Sequence, residues 1–339
     1  MRASSKKIFG FGAAAAVAAA LAIGSSPASA ATSGTPAAAA TGTPTAAATG
    51  TPAAAATGTP TAGTTDGSGA LSIAEMDQTG NHVMGAGIAR NAGETEITTS
   101  VPGAVTTQQG DLSATAQAAS AGPPPGRIQG FDISAWQPSV NFLAAYRAGA
   151  RFVYVKATEG TSYVSSTYEQ QYATAKQRNL YRGGYVYAQP SQASGAATAN
   201  YFFAHGGQWS ADGKTLPPLL DIEYGSASQG TCYGKSWSQM RSWIKDFSNT
   251  VYQKTKRYPA IYTTTDWWKR CTNNSNQFSS NPLFVALYPV HDFTTPGTLG
   301  RSWSKWTFWQ WSASGTLPGD QDVYRNDAAH LKRFASKTG

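Results

Sequence analysis

All ten tryptophans and all sixteen tyrosines of this chain lie after residue 126. Cores are built largely from apolar and aromatic side chains, so the last 213 residues are the part of the chain that can bury one. That length is sufficient for a single domain with a substantial interior. The distribution of aromatic residues therefore predicts one folded domain over residues 127–339.

The first thirty residues have the composition of an export signal. Basic residues open the chain, an alanine-rich apolar run covers residues 8–23, and small residues at 28–30 form a signal-peptidase site. The alternative is a membrane anchor, but the run is short for a bilayer span and lacks stop-transfer charges. We expect residues 1–30 to be a signal peptide and the protein to be secreted, extracellular and without a membrane anchor.

The next two stretches lack the pattern of a folded domain. Proline recurs every eight residues from Pro36 to Pro60, within units of alanine, threonine and glycine. These units carry too little apolar surface to offset chain entropy, so residues 31–65 are predicted to be a disordered low-complexity linker. Residues 66–126 contain a few apolar side chains without a sustained period, and we interpret them as a prosegment or a second linker.

Charge divides at the same boundary. Residues 127–339 carry 22 Lys and Arg against 12 Asp and Glu, a net charge of +10, whereas residues 31–126 carry one Arg against six acids, a net charge of −5. A basic exported domain suits an anionic polymer such as a phosphate-bearing bacterial wall. Nucleic acid is the rival partner, but no Lys/Arg stripe or binding motif supports it. The opposite charges suggest that the acidic segment 66–126 is removed or masks the basic domain.

Strand and helix patterns alternate through residues 127–339. We predict strands at Ile128–Ile133, Phe152–Ala157, Gly184–Tyr187, Leu219–Glu223, Ala260–Thr263, Leu283–Tyr288, Trp306–Trp311 and Val323–Tyr324. Helices are predicted mainly between the early strands, and Ser236 is predicted to cap a long helix that runs to about Thr255. This order of elements favours an α/β fold with a parallel TIM-like β/α barrel over an open doubly wound sheet. Polar residues follow most of the strands, and the carboxyl ends of barrel strands form the rim that carries active sites.

Asp221 and Glu223 are the most informative pair. Alternate residues of a strand point the same way, so both carboxyl groups face one side and Ile222 faces the other. Two such groups among apolar neighbours do not titrate independently, and one pKa is raised while the other group stays ionised. An acid and an electrostatic partner are what glycoside cleavage needs. A bare Asp-x-Glu is common and can be a solvated strand end, but this one has no local counter-ion.

Other candidates lie near the predicted rim. Asp132 ends the first strand but could be a turn residue, Glu159 could simply pair with Lys156, and one of Asp320 and Asp322 could serve a turn. Aromatic faces stack on sugar rings, although about half of such residues could equally be core. The candidate substrate-binding residues are Glu159, Tyr185, Tyr187, Tyr224, Tyr288, Trp309 and Gln310.

Cys232 and Cys271 are the two cysteines of the chain. An even number in an exported protein predicts a disulfide, and closing a loop of this length would stabilise the fold by roughly 4 kcal/mol. Histidines are few and scattered. We therefore expect no metal site and no cofactor.

Taken together, these segments resemble the glycoside hydrolase family 25 lysozymes, the secreted and phage-type N-acetylmuramidases. The matching segments occur in family order and are Gly130–Ser134 with Gln137, Lys156–Gly160, Leu220–Tyr224, Ile261–Thr263 with Trp267–Trp268, Trp306–Trp311, and Gly319–Val323. The resemblance implies a β/α barrel with fewer than eight helices. It also implies hydrolysis of the β-1,4 bond between N-acetylmuramic acid and N-acetylglucosamine of peptidoglycan.

By motif position, the resemblance makes Glu223 the general acid/base and Asp221 the carboxylate that orients the substrate's N-acetyl group. Asp132 and Asp322 match further acids of the site floor. Val186 and Leu287 stand where many members have His and Arg. Two other functions remain open, a wall-binding barrel without turnover and a chitin-type glycosidase. We expect a monomer acting on peptidoglycan.

Overall fold

The centre of the fold is a closed ring of eight strands in the computed structural model, which describes residues 70–98, 122–288 and 294–336. The predictions for residues 1–65 lie outside these residues. In chain order the strands are β1 (Ala70–Ser72), β2 (Glu96–Thr98), β3 (Ile128–Ile133), β4 (Phe152–Glu159), β5 (Tyr163–Val164), β6 (Tyr181–Tyr187), β7 (Leu219–Asp221), β8 (Ala260–Thr263), β9 (Leu283–Ala286), β10 (Phe308–Ser312) and β11 (Asp320–Tyr324).

The helices in chain order are α1 (Ile73–Thr79), α2 (Ala86–Asn91), α3 (Phe142–Arg147), α4 (Tyr168–Gln177), α5 (Gly195–Ala204), α6 (Trp237–Thr255), α7 (Thr265–Thr272) and α8 (Ala328–Ser336). Six of them, α3 to α8, belong to the described part of the barrel domain. This confirms the prediction of a TIM-like barrel with fewer than eight helices. None of the helices in the described ranges is both long and apolar enough to cross a membrane.

The ring runs β3-β4-β6-β7-β8-β9-β10-β11 and closes through pairing of β11 with β3. Neighbouring strands are parallel from β3 to β10, but β11 is antiparallel to both of its neighbours. The expectation of a wholly parallel barrel is therefore corrected at its last strand. Only residues 313–319 connect β10 to β11, and a parallel connection needs a crossover of about a dozen residues or more.

Strand alternation divides the apolar residues into two layers. One buried cluster fills the ring with residues from alternate strand positions, such as Tyr154, Tyr262 and Phe308. The residues between them, such as Val155 and Ile261, join a second cluster that packs against the helices. This period of two determines which side chains can reach the mouth of the ring.

The predicted disulfide is present between Cys232 and Cys271, with 5.3 Å between their Cα atoms. It joins the loop before α6 to the last turn of α7. Helix α6 begins at a capping box, in which the Ser236 hydroxyl accepts from the Gln239 N–H while the Gln239 side chain bonds the Ser236 backbone. Ser236 is the cap that the sequence predicts.

Residues 70–98 form two strands and two helices that the sequence analysis does not predict. β1 and β2 pair antiparallel around α1 and α2, and Leu71, Ile73, Met76 and Ile97 belong to a small buried cluster. The described residues of this segment and of the barrel lie in one compact unit.

Candidate active site

Asp221 and Glu223 lie at the carboxyl end of β7, and both are fully buried. Ile222 between them packs in the outer cluster, so the two carboxyl groups share the inner side of the ring, as the alternation predicts. Asp132 near the end of β3 and Asp320 at the start of β11 are register partners. Since β11 is antiparallel, its start meets the carboxyl ends of the other strands.

Gln310 on β10 connects the acids on one side of the mouth. Its amide nitrogen donates to Asp132 Oδ2 at 2.9 Å and to Asp320 Oδ2 at 3.0 Å. Its amide oxygen accepts from the hydroxyls of Tyr262 and Tyr288, both at 2.7 Å. One side chain therefore fixes two carboxyl groups and two phenols.

Burial sets the protonation of these acids. Burial and the nearby charge of Glu223 raise the pKa of Asp132 to about 8, although the Gln310 hydrogen bond acts in the opposite direction. Burial and the charge of Glu223 raise the pKa of Asp221 well above its usual value. Burial also raises the pKa of Glu223, against the effect of hydrogen bonds from two backbone N–H groups. So many buried carboxyl groups cannot all be ionised, and the site holds protons near neutrality.

Glu159 differs from these acids because its pKa is lowered, so it is ionised at neutral pH. Burial acts to raise its pKa, but the charges of His82 and Lys156 hold the pKa at about 2. Lys156 Nζ donates to Glu159 Oε2 at 2.7 Å, and Gln189 Nε2 donates to Glu159 Oε1 at 2.7 Å. A register irregularity between Lys156 and Thr158 lets two residues three apart on β4 meet inside the ring. The pairing of Lys156 with Glu159 that the sequence left open is therefore present and buried.

Asp320 and Asp322 both face the inside of the ring but at different depths. Asp320 reaches the Gln310 amide, whereas Asp322 lies between Asp320 and Tyr324, a residue of the inner apolar cluster. Burial and the charges of Asp132 and Asp320 raise the pKa of Asp322 well above its usual value. Asp320 is thus the acid of this pair that shares a donor with Asp132, whereas the resemblance matches Asp322 to the acids of the site floor.

The candidate aromatic residues divide by the face of their strand. Tyr185 lies in the inner cluster, Tyr187 stacks on the His82 ring with centroids 5.0 Å apart, and Tyr288 bonds Gln310. Tyr262, which the sequence analysis did not single out as a site residue, joins them. Its position in the middle of the β8 motif Ile261–Thr263 could have indicated an inward side chain.

Tyr224 and Trp309 point away from the mouth. The Tyr224 hydroxyl donates to Asp266 Oδ2 of α7 at 2.8 Å, and the Trp309 indole donates to the Leu287 carbonyl at 2.8 Å. Both belong to the outer cluster. Tyr224 follows the inward residue Glu223, and Trp309 precedes the inward residue Gln310. Because side chains alternate along a strand, both aromatic side chains face outward.

The two departures from the family pattern also lie outside the mouth. Val186 is buried in the outer cluster, and Leu287, which follows the inward Ala286 at the end of β9, is 44% exposed. Within the described ranges no group of His, Cys, Asp and Glu is arranged to hold a metal ion.

The backbone of residues 81–88 crosses the mouth of the ring. The Gly85 N–H donates to Glu223 Oε1 at 2.7 Å, and the Ile88 N–H donates to Glu223 Oε2 at 3.0 Å. The His82 N–H donates to Glu159 Oε2 at 2.9 Å, and His82 Nδ1 lies 2.7 Å from Glu159 Oε1. The sequence analysis gave no site role to any residue of this stretch.

Comparison with known proteins gives one family. The model of the glycosyl hydrolases family 25 matches residues 131–320. An N,O-diacetylmuramidase of Chalaropsis sp. is 46% identical over 213 residues, which are 62% of this chain and 99% of the relative. Lysozyme M1 of Streptomyces globisporus is 41% identical over 217 residues, 62% of this chain and 72% of the relative. The solved structure of a family GH25 lysozyme from Aspergillus fumigatus is 45% identical with a TM-score of 0.60, and 62% of this chain covers all of it.

Proposed function

The chain belongs to glycosyl hydrolase family 25, and on that basis we propose that it is a lysozyme whose catalytic acid is Glu223. The bond cleaved is the β-1,4 linkage between N-acetylmuramic acid and N-acetylglucosamine in bacterial peptidoglycan. The observation that supports Glu223 most is its full burial at the mouth of the barrel beside Asp221. A proton donor must stay protonated near neutrality, and burial raises the pKa of Glu223 in that direction.

Asp221 assists Glu223 in this proposal. The two carboxyl groups share one side of the chain, so negative charge on one raises the pKa of the other. When Glu223 gives its proton to the leaving oxygen, Asp221 lies next to the sugar ring that becomes electron-deficient. It orients the N-acetyl group of that sugar, or stabilises the positive charge that develops there.

Asp132 and Asp320 bound the far side of the same cleft through Gln310. Asp322 lies deeper in the ring than Asp320, beneath this side of the cleft. Tyr185, Tyr187, Tyr262 and Tyr288 give the cleft an aromatic lining, which suits the flat faces of sugar rings. We place Tyr224 and Trp309 in the supporting layer because their side chains face the helices.

The localisation and the oligomeric state that we propose are consistent with the same function. We propose that the protein is exported by residues 1–30 and acts outside the cell as a monomer on the wall. The net charge of +10 over residues 127–339 would concentrate it on anionic wall polymers. Light scattering of the purified protein and binding to walls with and without their anionic polymers test these two points.

Glu223→Gln in a chain of residues 122–339 tests the assignment. We expect the release of reducing ends from purified walls to fall by roughly 10²–10⁴-fold, because the amide keeps the shape of the side chain but cannot donate the proton. Glu169→Gln is the matched control, since Glu169 lies exposed on α4. Mass spectrometry of the products must give N-acetylmuramic acid at the reducing ends.

Substantial activity in the Glu223→Gln variant would reject Glu223 as the acid. Wall binding without products in the unsubstituted domain would identify a non-catalytic wall-binding barrel. Cleavage of chitin oligomers in preference to wall would identify a chitin-type glycosidase.

A further inference from the structure

Residues 81–87 are buried without interruption, although they form the connection between α1 and α2 and the first turn of α2. A seven-residue stretch of a small α/β segment can bury itself this fully only against something larger. The Met84 side chain belongs to the cluster that fills the ring, together with Tyr185 and Tyr262. The segment therefore reaches into the barrel from the side on which substrate would enter.

Both oxygens of Glu223 are occupied by this segment. The Gly85 N–H lies 2.7 Å from Oε1 and the Ile88 N–H lies 3.0 Å from Oε2. Two backbone donors stabilise the ionised form of a carboxyl group, whereas an acid catalyst must begin protonated. The contact thus blocks the approach of a glycosidic oxygen and opposes the protonation state that cleavage needs.

The second anchor is at Glu159. His82 gives Glu159 a backbone donor at 2.9 Å and a ring nitrogen at 2.7 Å, and Lys156 Nζ donates to the His82 carbonyl at 2.5 Å. The Trp136 indole donates to the Asn81 carbonyl at 2.6 Å. The segment is therefore held at Glu159 on β4 and at Glu223 after β7, two strands that β6 separates in the ring.

Two glycines allow this close approach. A Cβ atom at Gly87 would lie 2.5 Å from the Tyr224 carbonyl oxygen and 2.8 Å from Glu223 Oε2. Gly85 has φ +89°, and a Cβ atom there would lie 2.6 Å from the Tyr288 hydroxyl. A side chain at either position would collide with the wall of the cleft, so glycine at both positions allows the segment to lie this close to Glu223.

We propose that residues 70–98 are an intramolecular inhibitor that occupies the substrate cleft, so that the enzyme is active only when this segment has left. The inference rests on the proposed function, since it takes the cleft at Glu223 as the substrate site. Charge supports it, because residues 70–98 carry four acids against one Arg and face a domain of net charge +10. The match to the family begins at residue 131, so the segment is an addition to the conserved barrel.

Cutting the chain tests the proposal directly. The chain from residue 31 to 339 would carry a recognition sequence for a site-specific protease inserted between residues 110 and 111. After cleavage, the two parts are separated by size exclusion at high salt. We expect the rate on soluble peptidoglycan fragments to rise about 10–100-fold on separation, since a tethered segment acts at a millimolar effective concentration. Adding the separated segment back must inhibit again.

A point substitution tests the same contact in the uncut chain. Gly87→Val places a side chain against Tyr224 and Glu223, so we expect it to raise the rate of the uncut chain toward that of the separated barrel. Ala92→Val is the matched control, because Ala92 is exposed at the end of α2 and should leave the low rate unchanged. The cut and separated forms of all three proteins should have equal rates.

The outcomes separate the two proposals. Equal rates before and after separation, with Gly87→Val also unchanged, would overturn the inhibitor and leave the lysozyme assignment intact. No products from any form, including residues 122–339 alone, would overturn the assignment. Binding of the separated segment to the barrel, measured by isothermal titration calorimetry, would then still show whether the segment occupies the cleft. Binding that Gly87→Val abolishes supports occupancy of the cleft, and no binding rejects it.

Discussion

Gln310 shows how one side chain can organise a group of acids. Its amide presents donors to Asp132 and Asp320 and its oxygen accepts from Tyr262 and Tyr288, so both ends of the amide are fully used. An acid at this position would add charge to a cluster that already binds protons. A shorter residue would leave four buried polar groups without this partner. Each such group lowers the free energy of unfolding by about 1–3 kcal/mol.

Gln310→Leu should therefore lower both activity and stability. We expect wall hydrolysis by the 122–339 chain to fall at least about tenfold, and the free energy of unfolding to fall by at least about 4 kcal/mol, because four buried polar groups lose their partner. Urea denaturation and the rate of reducing-end release measure the two effects. Gln170→Leu is the control, since Gln170 is exposed on α4. Unchanged activity in Gln310→Leu would show that the amide does not position the acids.

At this scale the sequence predicts the inward acids well and the aromatic residues less well. Alternation from Asp221 correctly places Glu223 inside, and the same rule places Tyr224 outside. Trp309 and Gln310 are adjacent, so they could not both face the cleft. The choice between Asp320 and Asp322 could not be made from sequence because both face inward, and only the depth in the ring distinguishes them.

At the scale of elements, the strands and long helices were predictable because their patterns are local. Helix α6 has buried residues at Trp243, Phe247 and Val251, spaced by four, and begins at the predicted cap. Helix α7 and the elements of residues 70–98 were not predicted. They are short, and the surface that buries them comes from distant parts of the chain, so they show no period of their own.

Ser236→Ala tests the cap of α6. Loss of the capping box should lower the free energy of unfolding by about 1 kcal/mol, because the N–H of Gln239 loses its acceptor. Urea denaturation of residues 122–339 measures the change. Ser238→Ala, two residues into the helix and exposed, should be neutral or slightly stabilising. Equal effects of the two substitutions would show that the cap contributes nothing specific.

At the scale of the whole molecule, docking of the proposed inhibitory segment is linked to pH through His82. Its ring contacts Glu159 on β4 and Asp77 on α1 and stacks on Tyr187 of β6. Burial acts to lower the pKa of His82, and so does the charge of Lys156, but the two carboxylates raise it above 6.5 overall. Arg90 of α2 bonds Asp77 at 2.6 Å and completes the charged groups around the ring.

The sign of this linkage predicts release at alkaline pH. The pKa of His82 is raised in the docked state. Its contribution to the free energy of docking is therefore complete below pH 6.5 and is lost as pH rises through the raised pKa. Glu159 stays ionised down to about pH 2, and its contribution to docking is lost only there. Through these two groups, docking should therefore weaken as pH rises above 6.5.

The measurement is the rate of the uncut chain divided by that of the cut and separated barrel at each pH. This ratio cancels the barrel's own pH dependence, and we expect it to rise toward one above neutrality. In His82→Gln the alkaline rise should disappear, because glutamine keeps a hydrogen bond but does not titrate. A ratio that stays flat in the unsubstituted chain would reject His82 as the group responsible.

The closure of the ring by β11 against β3 has a consequence for biosynthesis. Strand β3 is translated early, but β11, the strand that pairs with β3 to close the ring, is translated nearly two hundred residues later. The mouth of the barrel is incomplete until then, so residues 81–88, although translated first, have no finished surface to dock on. A segment that is translated before the whole barrel must therefore wait for almost the last strand, so the cleft and the segment that fills it are completed together.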